Sequence, residues 1–239
     1  MIGCVRIKAN LQYLWQSMQL IKNSLKAVQA GYYGDVNYRT YPPDLQSLLL
    51  KERIVYIGMP LIAAVTELIV AELLYLQYDD PEKPIYIYIN STGTAREDGE
   101  PVGYETEAFA ICDTMKYIKP TVNTICIGNA VGAAAMLLSS GTKGYRASLP
   151  HASIVLRQPK SYARGQATDI EIQAREVARN RDTMVQILAE NTGQPPAKII
   201  KDIDRLFYMT AEDAKEYGLI DKVLESRKDL PKELPAVMS

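Results

Sequence analysis

A hydrolase that attacks through a hydroxyl or thiol needs a base to take the proton and a group to orient that base, and histidine is the usual base. The chain holds a single histidine, His151, directly after Leu149-Pro150. No Ser/His/Asp arrangement assembles around it, so it reads as a loop residue. One imidazole without clustered carboxylates or cysteines also lacks metal-ligand spacing, and no metal or cofactor is expected. Ser139 and Ser140 offer hydroxyls with Lys143 as a conceivable base, but they read as serines on a helix surface. The run Asn90-Ser91-Thr92-Gly93-Thr94 ends a strand and presents backbone N–H groups; with one glycine it fits a turn better than an anion cradle. From residue types alone, the chain is an α/β domain without an evident active site.

The elements that must position these residues alternate between strand-like and helix-like stretches from Leu45 onward. Strands are predicted over Arg53–Gly58, Ile85–Asn90 and Val122–Ile127, then around Tyr145–Leu149 and Ser153–Gln158, with a further segment at Asp204–Met209. Helices are predicted over Ala64–Tyr78 and Tyr104–Ile118, the second placing Ala108, Ile111, Cys112, Met115 and Ile118 on one face. Small residues over Ala130–Ala135, running into Met136-Leu137-Leu138, predict a helix packed closely on a sheet. Gln166–Asn191 is the longest helical stretch, polar enough to project, and Thr192-Gly193-Gln194-Pro195-Pro196 stops it. Thr210-Ala211-Glu212-Asp213 reads as a capping-box start, with Gly218 at the helix stop.

Length and composition bound the rest. The 239 residues, 47% of them hydrophobic, suit one sizeable core. A net charge of −1 supplies no field to attract nucleic acid or an anionic membrane. The cysteines Cys4, Cys112 and Cys126 form no CxxC pair, which fits a reducing compartment. No apolar run approaches the ~20 residues of a membrane span, so a soluble protein is expected. Three regions are expected: an extension over 1–44, a domain over 45–225 and a polar tail over 226–239. Within the extension, Leu11, Leu14, Trp15, Met18, Ile21, Leu25 and Val28 recur at helical spacing among basic residues. A transit-peptide remnant, a docking helix and a mobile arm all fit that pattern.

Several ordered motifs resemble the Clp protease proteolytic subunit (ClpP) family: Leu50-Lys51-Glu52-Arg53-Ile54, Tyr86–Ser91, Cys126-Ile127-Gly128-Asn129-Ala130, Gly165–Ile172 and Glu216-Tyr217-Gly218-Leu219-Ile220-Asp221. The resemblance spans about residues 45–225. It implies an α/β, crotonase-like fold of repeated βα units with Gln166–Asn191 as a projecting handle helix, and assembly into two stacked heptameric rings. Matched residue by residue, the family's serine falls at Gly132, its histidine at Arg157 ahead of Gln158-Pro159, and its aspartate at Leu206. Its oxyanion-hole glycines fall at Gly93 and Thr94. A guanidinium that stays protonated is no general base, and leucine cannot orient one.

The stretch Ala95–Gly103 has no counterpart in active members. These departures resemble the non-catalytic ClpR branch of cyanobacteria and plastids, whose members share a ring with active ClpP-type subunits and receive unfolded protein from an AAA+ unfoldase of the ClpC type. The resemblance therefore implies a structural or regulatory subunit in a cyanobacterial cytoplasm, or in the plastid stroma of a eukaryote. The family's chaperone-docking cleft maps to Tyr86, Tyr88, Ile125, Ile127 and Leu149, with Ala147 where an aromatic is usual. Other readings are a peptidase using Ser139 or Ser140, a crotonase-type acyl-CoA enzyme, and a regulatory binder outside any ring.

Overall fold

The computed structural model describes residues 45–96 and 98–226. The basic amphipathic stretch and all but the first residue of the polar tail lie outside them. In chain order the elements are α1 (Leu45–Lys51), β1 (Ile54–Ile57), α2 (Ala63–Asp79), β2 (Ile85–Ser91), α3 (Glu105–Tyr117), β3 (Val122–Val131) and α4 (Ala133–Ser139). There follow β4 (Arg146–Ser148), β5 (Ser153–Leu156), α5 (Ala167–Thr192), α6 (Pro196–Ile203), β6 (Phe207–Met209), α7 (Ala211–Tyr217) and β7 (Lys222–Val223).

The strands form one sheet in the order β1-β2-β3-β4-β7, all neighbours parallel, while β5 pairs parallel with the far half of β3 and antiparallel with β6. Both faces of β2 are covered, which explains its unbroken apolar sequence. Ile85, Ile87 and Ile89 point into the main core beneath α2, α3 and α4. The alternate residues Tyr86 and Tyr88 join Ile54, Ile125, Ala147 and Leu224 in a smaller core on the opposite face.

Strand β3 outruns its predicted end at Ile127 because of a bulge. Ile89 pairs with Cys126, but Ser91 pairs with Ala130, so extra β3 residues are accommodated while Asn90 Oδ1 accepts from Asn129 N–H at 3.0 Å. The irregularity carries β3 away from β4 and onto β5, where Val131 pairs with Val155. The predicted helix over Ala130–Ala135 is corrected accordingly: Ala130 and Val131 are strand, and the helix begins at Ala133. Every residue of α4 is buried, with Ala133, Ala134 and Ala135 letting its backbone approach the sheet.

The long helix α5 behaves as its composition predicts. Its buried residues are Met184, Val185, Ile187 and Leu188, all in the C-terminal half, and the turns from Ala167 to Glu176 are exposed, so this half projects from the core. It stops at left-handed Gly193. Helix α7 starts with a capping box between Thr210 and Asp213 and stops at left-handed Gly218, as the sequence implies.

Arg53 shows how a loop position is fixed by its side chain. It links α1 to β1 at φ 61°, a region unfavourable to residues with a Cβ. Yet its guanidinium is buried and donates to the carbonyls of Asp80 at 2.8 Å, Lys83 at 3.1 Å and Pro84 at 3.1 Å, tying β1 to the loop before β2. Those bonds hold a strained backbone. Arg53→Ala is expected to lose about 2–3 kcal/mol of stability, read as a lower urea midpoint at unchanged slope.

Candidate functional site

The turn from β3 into α4 lies at the carboxyl edge of the parallel strands, the usual position of a site in an open α/β sheet. Gly132 makes this turn at φ 56°, ψ −110°, far from any conformation that a side chain tolerates easily. Its N–H donates to Val155 O at 2.7 Å, which locks the turn to β5. The Asn90–Thr94 loop presses against the same turn. A Cβ on Gly93 would lie 2.3 Å from Val131 O and 3.2 Å from Ala133 N, so only glycine permits the approach. The Gly93 N–H is already engaged, donating to Ser91 Oγ at 3.1 Å, while Ser91 Oγ donates to Met59 O at 2.7 Å.

Arg157, one residue beyond β5, lies over Gly132. A Cβ built on Gly132 would sit 3.1 Å from Arg157 Cγ and 3.2 Å from Nε, so a side chain on residue 132 would crowd the arginine stem and push it aside. The antiparallel β5–β6 pair ends at Leu156 opposite Phe207, so Arg157 and Leu206 each lie one residue beyond the paired segment. Leu206 itself is largely exposed. The fold thus brings 132 and 157 together at one turn, where they contribute a bare backbone and a guanidinium.

Sequence reasoning missed a further member, Glu105. Its carboxylate is buried at the start of α3 and accepts from Thr94 Oγ1 at 2.8 Å. Burial raises its pKa against the opposing effects of the Thr94 bond and the Arg157 charge. Burial likewise lowers the Arg157 pKa, with Glu105 the counteracting charge. In the sequence, Glu105 and Glu107 look like ordinary acids in the first turn of a helix. Only the hydrogen bond across the loop shows that Glu105 is turned inward.

The Ala95–Gly103 stretch folds back on itself. Ala95 and Pro101 form an antiparallel bridge, Val102 N–H and Gly103 N–H both donate to Thr94 O, and the Tyr162 hydroxyl binds Glu100. It stands beside a polar cavity of about 690 Å³ lined by Asn90, Thr92, Arg96, Asp98 and Asn129 among others. The other candidates lie elsewhere. Ser139 is fully buried and not on a helix surface: it donates to Met136 O at 2.7 Å and accepts from Asn191 Nδ2 at 3.0 Å. Ser140 donates to Met136 O at 2.8 Å and accepts from the same amide. Hydroxyls held in that way are structural, and Lys143 is exposed without a bond to either. His151 is exposed in the turn between β4 and β5.

Of the expected docking residues, Tyr86, Tyr88 and Ile125 are buried in the smaller core, with Ile127 packed at its border. Burial raises the Tyr88 pKa. Leu149 stands outside that cluster at 37% exposure. Among the described residues no group of His, Cys, Asp and Glu could hold a metal ion, and no helix is long and apolar enough to cross a membrane.

A mixed sheet with a bulged central strand, a glycine turn at its carboxyl edge and one long projecting helix defines a ClpP-type α/β subunit. Comparison with known proteins agrees: the Clp protease family model matches residues 39–227, and the chain belongs to that family. It is 64% identical over 223 residues to an ATP-dependent Clp protease proteolytic subunit-like protein of Synechococcus elongatus, covering 89% of this chain and 98% of the relative. A chloroplastic Clp proteolytic subunit-related protein 3 of Arabidopsis thaliana is 49% identical over 88% of this chain and 64% of its own length. The ATP-dependent Clp protease proteolytic subunit 2 of Gloeobacter violaceus is 51% identical over 88% of this chain and 94% of its own.

Proposed function

We propose that this chain is a non-catalytic structural and regulatory subunit of an ATP-dependent Clp protease core, sharing heptameric rings with active ClpP-type subunits. The observation that carries the reading is the turn at Gly132. What supports the reading is the residue at each position matched to the family's triad: Gly132 has no side chain to attack a carbonyl, Arg157 keeps its proton and Leu206 cannot orient a base. The names of relatives include both proteolytic subunits and subunit-like or subunit-related proteins, so the support for a non-catalytic role comes from the residues rather than from the names. Its partners on this reading are an active ClpP-type paralogue, an AAA+ unfoldase of the ClpC type and unfolded protein substrates. The setting is the cytoplasm of a cyanobacterium, or the plastid stroma if the host is eukaryotic. A peptidase working through Ser139 or Ser140 is disfavoured by the burial of Ser139 and the double hydrogen bonding of both.

The test is peptidase activity, with native mass, for three samples: this chain, a ClpP-type partner, and the two co-expressed. The expected result is an inert chain alone and a mixed ring whose activity disappears when the partner's serine is replaced. Cleavage by the chain alone, or failure to enter any ring with such a partner, would overturn the proposal.

A further inference from the structure

Arg157 keeps its donors open to a ligand. Its side chain is half-buried, and burial lowers its pKa, yet it makes no hydrogen bond or ion pair with any described residue. Guanidinium N–H groups with no protein acceptor are free to exchange water for a charged oxygen acceptor from outside. The nearest acid, Glu105, does not fill that role: its carboxyl is committed to Thr94 and stands beyond ion-pair distance. Nor is the guanidinium sealed inside. Among the described residues the one buried side-chain polar atom without a partner is Thr66 Oγ1, so the nitrogens of Arg157 stay within reach of solvent.

The stem, meanwhile, is held. Cγ and Nε rest against the bare backbone of Gly132, and Gln158 N–H, the next in the chain, donates to Ile203 O at 2.9 Å. A held guanidinium with open donors is organised to receive a planar oxyanion, and a carboxylate matches its fork.

We propose that Arg157, lying over Gly132 at the carboxyl end of β3, is a carboxylate-binding site that takes the C-terminal carboxylate of short peptides. The choice of a peptide rests on the reading of this chain as part of a proteolytic chamber wall, where each hydrolysis releases one new carboxylate terminus. The backbone from Arg157 to Gly165 carries no helix or strand, so its own N–H and C=O groups are not spent on a ladder beside the site. On this view the position that supplies the base in active members here holds product ends.

The experiment uses the full chain and ligand-observed NMR titration of acetyl-Ala-Ala-Leu as free acid and as amide, with acetate and acetyl-Ala-Asp-Leu-amide as further arms. The expected result is about tenfold tighter binding of the free acid than of the amide, the effect of one charge-assisted bond. Arg157→Gln is expected to abolish that preference and Arg157→Lys to keep part of it, with unfolding midpoints measured on both variants to show that the fold persists. Equal binding of acid and amide, or a preference surviving in a folded Arg157→Gln, would overturn the site. Acetate or the internal aspartate matching the free acid would overturn the assignment to a chain terminus. None of these readings needs a partner subunit or hydrolysis, so the outcome is independent of the ring experiment.

Discussion

Arg146→Ala is expected to cost about 3–5 kcal/mol of folding stability, more than any other single change to a charged side chain in the described domain. The guanidinium is 4% exposed and forms a two-pronged pair with Asp221, Nη2 to Oδ1 at 2.7 Å and Nε to Oδ2 at 2.9 Å. Its remaining nitrogen donates to Ser139 O and Asn191 O, terminal carbonyls of α4 and α5 that their own helices leave unpaired. One side chain therefore joins β4, the loop before β7 and two helix ends. Removing it leaves Asp221 without its cation and two carbonyls without donors. Urea unfolding at constant slope measures the loss, and a cost under about 1 kcal/mol would show that water replaces these bonds freely.

The same pair predicts a pH dependence of definite sign. Burial raises the Asp221 pKa, but the Arg146 side chain and the N–H groups of Arg146 and Gly144 outweigh it and hold it below its ordinary value of 3.8. A depressed acid contributes stability that is fully present above the unfolded value and is lost as pH falls through the folded one. Wild type should therefore exceed Asp221→Asn in stability at neutral pH, and the gap should close below about pH 4.

Much of this architecture is legible in the sequence because its signals are local. The apolar stripe of α3, the Thr210–Asp213 cap and the glycine stops at Gly193 and Gly218 each depend on a few neighbouring residues. What stayed hidden depends on contacts between distant segments. Ala130 reads as helix because small residues are ambiguous in isolation; it is strand because Asn90 secures the bulge through Asn129, 39 residues further along the chain. Ser139 reads as a surface residue because nothing near it reveals that Asn191 and Arg146 converge on the end of α4. At the site, the identities at 132, 157 and 206 come from family resemblance, whereas the lodging of Arg157 against Gly132 and the inward turn of Glu105 need coordinates.

Rebuilding proteolysis should therefore require more than returning a serine, and Gly132→Ser alone is expected to remain unreactive toward a serine-directed phosphonate. Its Cβ would crowd Arg157 Cγ and Nε at a backbone conformation hostile to side chains, and no base would stand beside its hydroxyl. Adding Arg157→His relieves the crowding and supplies an acceptor; adding Leu206→Asp, at the position where the family has its aspartate, is intended to supply an anion to orient the imidazole. The triple variant is expected to label faster than Gly132→Ser by on the order of 10²–10⁴, the usual contribution of positioned proton transfer. Peptide turnover is a stricter readout, because the Gly93 N–H is bound to Ser91 Oγ and Thr94 is tied to Glu105, leaving the loop poorly disposed to receive an oxyanion. Phosphonate labelling of the triple variant without peptide turnover would place the remaining deficit in that loop. Labelling of Gly132→Ser alone would mean that a base outside 157 serves the turn, and the account of Arg157 as the crowding group would fail.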